Sequence, residues 1–250
     1  MCRLSVNVNK LATLRNSRGK NLPDVAAAAQ RILEYGAHGI TVHPRPDGRH
    51  IRWPDVYAIH EVVCDWNRSA KTPVEFNIEG YPSNEMLDLL DEIKPDQATF
   101  VPDPPEALTS NAGWDLNANE SLLVKILARQ KASGIRASLF VDPKNLHGAQ
   151  TAALLRLKPG RIELYTESFA DHFGGPEQEQ VTETYVQAAR TVRYAGIGVN
   201  AGHDLNQSNL AYLLRKIPWI EEVSIGHALI CEALEQGMRS TIASYLKLLP

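Results

Sequence analysis

Short apolar runs, each ending abruptly in a reactive side chain, recur along this chain. Gly39-Ile40-Thr41-Val42 runs into His43-Pro44-Arg45, with Arg49 and His50 just beyond. Val74-Glu75-Phe76-Asn77-Ile78 stops at Glu79, Ile197-Gly198-Val199-Asn200-Ala201-Gly202 at His203, and Glu222-Val223-Ser224-Ile225-Gly226 at His227. Runs of this kind read as buried strands whose C-terminal ends open into polar loops. Eight are predicted in all: Leu4–Val8, Gly39–His43, Val74–Ile78, Gln97–Val101, Arg136–Val141, Arg161–Tyr165, Ile197–Asn200 and Glu222–Ile225. Between them the apolar spacing switches to a helical period over Asp24–Tyr35, Asn84–Ile93, Glu120–Ser133, Pro176–Tyr194, Asn209–Ile217 and a final stretch across Ala228–Leu249. Ser83 is placed to cap one helix, and Gly36, Gly134 and Gly196 follow others where a left-handed residue is wanted.

Regular strand–helix alternation predicts a parallel sheet, and eight units allow it to close into a (β/α)8 TIM barrel with extra helices. A doubly wound sheet is the competing architecture. Against it, no GxGxxG follows the first strand, and the reactive side chains are spread over several strand ends instead of one crevice. The length of 250 residues suits one barrel, so a single domain over residues 1–250 is expected.

Composition removes several classes of function. With 44% hydrophobic and 22% charged residues and a formal net charge of −3, neither disorder nor a nucleic-acid surface is expected. The three cysteines, Cys2, Cys64 and Cys231, lack CxxC spacing, which argues against a disulfide framework or a zinc cluster and fits a reducing cytoplasm. The N-terminal segment turns polar too soon for a signal peptide, and no apolar run approaches the roughly 18 residues of a membrane span. A soluble, cytoplasmic protein is therefore expected.

The segment from Asn7 to Lys20 reads as a loop with four cations, Lys10, Arg15, Arg18 and Lys20, beside amide side chains. At a barrel mouth such a loop suits an anionic small molecule such as a phosphate ester. Together with it, the motifs Asn7-x-Asn9-Lys10-x-Ala12-Thr13-Leu14-Arg15-Asn16-x-Arg18-Gly19, Gly39-Ile40-Thr41-Val42-His43-x-Arg45 with His50, Asn77-x-Glu79, Val199-Asn200-Ala201-Gly202-His203 and Ile225-Gly226-His227-Ala228 are similar to those of a known family. That family is the pyridoxine 5′-phosphate synthases of deoxyxylulose-dependent vitamin B6 biosynthesis, and the resemblance covers nearly the whole chain.

The resemblance implies an enzyme that condenses 1-deoxy-D-xylulose 5-phosphate with 3-amino-2-oxopropyl phosphate, giving pyridoxine 5′-phosphate, phosphate and water. It implies a homo-octamer of barrels and no metal or organic cofactor. It places acid–base roles on His43, Glu79 and His203, which suits a reaction that moves protons at every step. It places the deoxyxylulose phosphate at Asn9, Lys10, Arg45, His50 and Thr109, and the amino-ketone phosphate at Asn7, Arg18, Asp204, Gly226 and His227. By residue type alone, Glu79 also suits a salt bridge to Arg45, Thr109 a helix cap and His227 simple packing. A metal site on His43, His50, His203 and Glu79 is disfavoured by the fixed cation at Arg45.

Three departures from the family pattern stand out. Asn9-Lys10 replaces a common Asp-His pair, trading an acid and a titratable ring for an amide and a lasting cation. Asp204 stands where a glycine follows the last catalytic histidine, and a carboxylate there must turn away from any bound phosphate, as by capping the following helix. Tyr165 stands where a histidine is common. A sugar-phosphate aldolase or isomerase on the same fold is the rival enzyme reading, expecting a Schiff-base lysine at a strand end or a single enediol base, and no strand-end lysine is evident; a non-catalytic phosphate-binding barrel is the rival from another class.

Overall fold

The computed structural model describes residues 2–102 and 112–250. Its elements run in chain order as β1 (Arg3–Asn7), α1 (Asn9–Asn16), α2 (Val25–Glu34), β2 (Gly39–Val42), α3 (Trp53–Ser69), β3 (Glu75–Gly80), α4 (Asn84–Ile93), β4 (Gln97–Phe100), α5 (Glu120–Ser133), β5 (Arg136–Val141), α6 (Ala149–Leu157), β6 (Arg161–Leu164), α7 (Glu167–His172), α8 (Gln178–Tyr194), β7 (Gly198–His203), α9 (Leu210–Lys216), β8 (Ile220–Ile225), α10 (His227–Gln236) and α11 (Met238–Leu248). Every neighbouring pair of strands is parallel, and β1 also pairs with β8, so the sheet closes into an eight-stranded barrel. A doubly wound sheet is thereby excluded. Among the described residues no helix is long and apolar enough to cross a membrane.

Strand alternation explains the mixed character of the runs. Leu4, Val6, Ile40, Val42, Phe76, Ile78, Leu139, Ile162, Leu164, Val223 and Ile225 are buried in the main apolar cluster together with residues of the surrounding helices. The residues between them face the barrel axis and are largely polar: Ser5, Thr41, Asn77, Gln97, Thr99, Ser138, Arg161, Glu163, Asn200, Glu222 and Ser224. The oil lies between sheet and helices, and the interior of the barrel is held by hydrogen bonds. Ser5 bonds Thr41 at 2.7 Å, Thr99 donates to Asn77 at 3.1 Å, and Gln97 donates across the barrel to Glu222 at 3.1 Å.

Several ends form as the residue types predict. Asp24 caps α2 by accepting from Ala27 N–H at 2.9 Å, and Ser83 caps α4 through Met86 N–H at 3.2 Å, contacts each worth about 1 kcal/mol. The expected C-terminal helix is two helices. Gly237, at φ 79°, has a backbone conformation that no helix interior accepts, and it separates α10 from α11.

The expected first loop is also a helix. Over Asn9–Asn16 the buried positions are Leu11, Ala12 and Arg15, with Leu14 exposed. An arginine takes the place of an apolar residue on the inner face, so the helical period is masked in the sequence. Arg15, only 2% exposed, forms a two-pronged pair with Asp55 at 2.5 and 2.8 Å and donates to the carbonyl of His50 at 3.2 Å. Asn16 adds bonds to the carbonyls of Gly48 and His50 at 3.1 and 2.8 Å. The motif's arginine is thus a clamp on the loop after β2 and not an anion ligand.

Candidate active site

The C-terminal ends of the strands surround a cavity of about 450 Å³. Of the residues expected there, Asn7, Asn9, Lys10, His43, Arg45, His50, Glu79, His203, Asp204, Gly226 and His227 line it. Arg18 does not: it is exposed beyond α1 and outside the lining. A loop would have let it fold back, but eight helical residues carry the chain about 12 Å along the helix axis. Thr109 lies outside the described residues. Thr13, Arg49, Thr99, Val101, Phe140, Glu163 and Ser224 complete the lining without having been assigned to it from sequence.

The first wall is built by β1, β2 and the clamped loop. Asn9 accepts from the backbone N–H of His43 at 2.9 Å, so the amide that replaces the usual acid fixes the turn at the end of β2. The His43 and His50 rings lie 5.6 Å apart. Burial favours a neutral His43, and the nearby His50 and Arg45 reinforce it, lowering its pKa to about 3. His50 is brought down to about 4, again first by burial and then by the charges of Arg45 and Lys10. Ile51 N–H donates to His50 Nδ1 at 3.0 Å, which leaves the ring proton of the neutral form on Nε2. Arg45 is buried with its Nε 3.8 Å from Asp47, and Asp47 also holds Arg49 at 2.6 Å.

The floor is acidic. Glu79, on β3, accepts from Asn7 Nδ2 at 3.1 Å, while Asn7 Oδ1 accepts from Asn9 N–H at 3.0 Å, so both ends of the Asn7 amide are committed. No salt bridge joins Glu79 to Arg45 among the ion pairs of the described residues, where the cation alternative had placed one. Burial raises Glu79 to about 8, the charge of Glu222 adds to this, and the Asn7 bond opposes it. Glu163, on β6 and only 3% exposed, is pushed well above the ordinary carboxylate range by burial and then by Glu79 and Glu222. Gly202 permits this crowding: a Cβ there would lie 2.6 Å from the Ser224 carbonyl oxygen and 2.9 Å from Glu163 Oε1. Arg161, Glu163 and Tyr165 share a period-two register with the other inward positions, and that spacing was the available signal for Glu163.

The remaining wall comes from β7 and β8. His203 ends β7 beside the rings of Tyr165 and Phe140, 5.8 and 6.4 Å away. Its neighbour Asp204 does not cap the next helix; its carboxylate lies 3.0 Å from His203 Nδ1. Gly226 precedes α10, whose N-terminus carries no side-chain cap, so its backbone N–H groups and dipole are available to an anion. His227 is exposed, with Nε2 3.7 Å from Cys231 Sγ. Among the described residues no three His, Cys, Asp or Glu side chains converge as they would around a metal ion.

A profile of the family described as pyridoxal phosphate biosynthesis protein PdxJ matches residues 4–250. The chain belongs to this family. It is 47% identical over 247 residues to the pyridoxine 5′-phosphate synthase of Cytophaga hutchinsonii, covering 99% of this chain and 98% of the relative. It is 48% identical over 246 residues to that of Parabacteroides distasonis, covering 98% of both. Among solved structures it is similar to tryptophan synthase from M. tuberculosis, with a TM-score of 0.66 at 13% identity over 100% of this chain and 94% of the other. Thiamine phosphate pyrophosphorylase from Pyrococcus furiosus gives 0.58 at 11% identity, over 98% and 94%. At such identities these two likenesses show the barrel fold alone.

Proposed function

We propose that this chain is a pyridoxine 5′-phosphate synthase, joining 1-deoxy-D-xylulose 5-phosphate to 3-amino-2-oxopropyl phosphate with release of phosphate and water. The observation that carries the reading is one cavity holding proton carriers of opposite bias, with Lys10 and Arg45 in its lining and the uncapped N-terminus of α10 beside them. His43 is kept neutral and Glu79 is kept protonated at pH 7. Pushing such groups apart is how a site separates its acid from its base. Glu79 donates to the departing hydroxyl during imine formation and dehydration, His43 accepts protons, and His203 donates near ring closure. A phosphate on Arg45 and His50 offsets the cationic charges that lower His43, so the ring grows more basic as the cavity fills.

The deoxyxylulose phosphate sits against Arg45, His50, Lys10 and Asn9. The amino-ketone phosphate sits at Gly226 and His227, beside Asn7, where the α10 N-terminus supports it. Asp204 N–H already donates to the Gly202 carbonyl at 3.1 Å, so that residue contributes through its carboxylate and not as a phosphate donor. The reading includes a single-domain barrel in a cytoplasmic homo-octamer, with no metal or organic cofactor. Three free cysteines are in keeping with a reducing compartment. Incubating the purified chain with both substrates, without added metal, is expected to yield pyridoxine 5′-phosphate. No product, or product only after zinc or manganese is supplied, overturns the reading.

A further inference from the structure

We propose that Asp204 is a positioning residue: its carboxylate, bonded to Nδ1 of His203, orients that ring and places a proton on Nδ1, so that a proton taken up at Nε2 is delivered into the cavity. The inference rests on the synthase reading for its functional part and on geometry for the rest. His203 has φ 72°, a left-handed conformation that a residue with a side chain adopts only when its surroundings hold it there. They do so here. Thr166 donates its hydroxyl to the Gly202 carbonyl, and Asp204 N–H reaches both that carbonyl at 3.1 Å and the Thr166 hydroxyl at 3.4 Å. The kink turns the His203 ring between Tyr165, met edge-on at 77°, and Phe140.

Two ring walls fix the plane of the imidazole but not which nitrogen carries the proton. The Asp204 carboxylate settles that, because an acceptor at 3.0 Å from Nδ1 requires a hydrogen there and leaves Nε2 as the other nitrogen. The groups around the ring are the carboxylates of Asp204 itself and Glu167 from α7, the proton-retaining Glu163 from β6, Tyr165, bound to Glu167 at 2.5 Å, and the neutral His43 facing from β2. Burial favours the neutral ring, but the hydrogen bond and charge of Asp204, joined by Glu167, outweigh it and raise His203 above its ordinary value. With its side chain 37% exposed at the rim, Asp204 is not part of the core, so the fold does not depend on it. The departures from the family pattern at Asp204 and Tyr165 thus meet on one side chain.

The test compares the chain with Asp204→Asn and Asp204→Gly by two independent readouts. Imidazole nitrogen NMR of the ligand-free protein, with the His203 signal identified from His203→Gln, is expected to show His203 deprotonating at lower pH in both variants and its neutral tautomer becoming mixed in Asp204→Gly. In turnover, the alkaline limb of kcat is expected to move to lower pH, with kcat at pH 8 down about tenfold and KM for either substrate changed much less. Asp204→Glu is expected to recover part of both effects. An unchanged His203 titration in Asp204→Asn overturns the proposal whatever the activity. An altered titration with an unchanged kcat profile overturns its functional half. An altered titration in a chain that makes no pyridoxine 5′-phosphate supports the dyad and sinks the synthase reading.

Discussion

The two ends of the barrel interior use the same residue types in opposite ways. At the end where the strands begin, charges are matched. Arg3 meets Glu75 at 2.5 Å, Arg136 binds the same carboxylate, and Arg161 lies 3.1 Å from Glu221, 3.6 Å from Glu222 and 4.0 Å from Glu75. Gln97 ties them together, accepting from Arg136 at 3.0 Å and Arg161 at 3.3 Å while donating to Glu222. At the end where the strands finish, no ion pair to Glu79 or Glu163 is found among the described residues; burial acts first on both, Glu222 adds to it at Glu79, and Glu79 and Glu222 add to it at Glu163. A buried acid with a cation beside it is a strut; a buried acid without one keeps its proton and can give it away. Glu222 stands between the two ends. Burial lifts it above the ordinary range, Arg161 and Arg136 draw it back, and its charge adds to the burial that raises Glu79.

Glu79→Gln is the strongest way to break this contrast. Removing a positioned proton donor is expected to lower kcat by about 10²–10⁴ with the fold intact by circular dichroism. The same variant should lose the fall in kcat/KM above about pH 8 that Glu79 ionisation imposes. Near-normal turnover would remove Glu79 from the mechanism. At the other end, Arg161→Met strands buried carboxylates without their partner and is expected to cost about 3–5 kcal/mol in urea unfolding, while the kcat of the folded enzyme stays within a few-fold. A large loss of turnover without a loss of stability would erase the distinction between the two ends.

Lys10 sharpens the comparison, because it is an exposed cation that lines the cavity at the mouth. Lys10→Met is expected to raise KM for the deoxyxylulose phosphate about tenfold or less and to change kcat by a smaller factor. Borohydride trapping of substrate on Lys10 would instead make it a covalent participant. The smallest effect is the pH dependence of stability. His43 and His50 titrate near 3 and 4 in the folded protein, against 6.5 ordinarily. Below about 6.5 the unfolded chain takes up protons that the folded rings refuse, so stability falls as pH drops through this window. His50→Asn should lose less stability than the parent between pH 7 and pH 5 by urea midpoint. Glu79 acts in the other sense, since the folded state keeps a proton that the unfolded chain releases above about 4.5, and stability declines as pH rises toward 8.

Much of the site was legible because strand ends leave a local signature. Apolar runs stopping at His43, Glu79, His203 and His227 mark one rim of a barrel in the sequence, since period-two burial followed by a polar break needs only neighbours in sequence. The residues that were misread or missed depend on partners far along the chain. Arg15 looked like an anion ligand, but its role is set by Asp55 and by the carbonyl of His50, 40 and 35 positions away. Arg18 shared its charge and motif yet falls outside the cavity, because it lies beyond α1, a helix whose period the buried Arg15 masks in the sequence. Glu163 gave only a spacing, and its raised pKa arises from burial and from the acids of β3 and β8.

The eight strands in order, the closed barrel, the mouth at which chemistry gathers and the family were thus determined by the sequence itself, through local periodicity and short motifs. The tertiary structure alone decided which charges are paired, which are left protonated or neutral, and how Asp204 turns on His203. The physical reason is that a pattern of burial is a property of one segment, whereas a charge buried without water takes its state from every group that surrounds it, and those groups come from strands that only folding brings together.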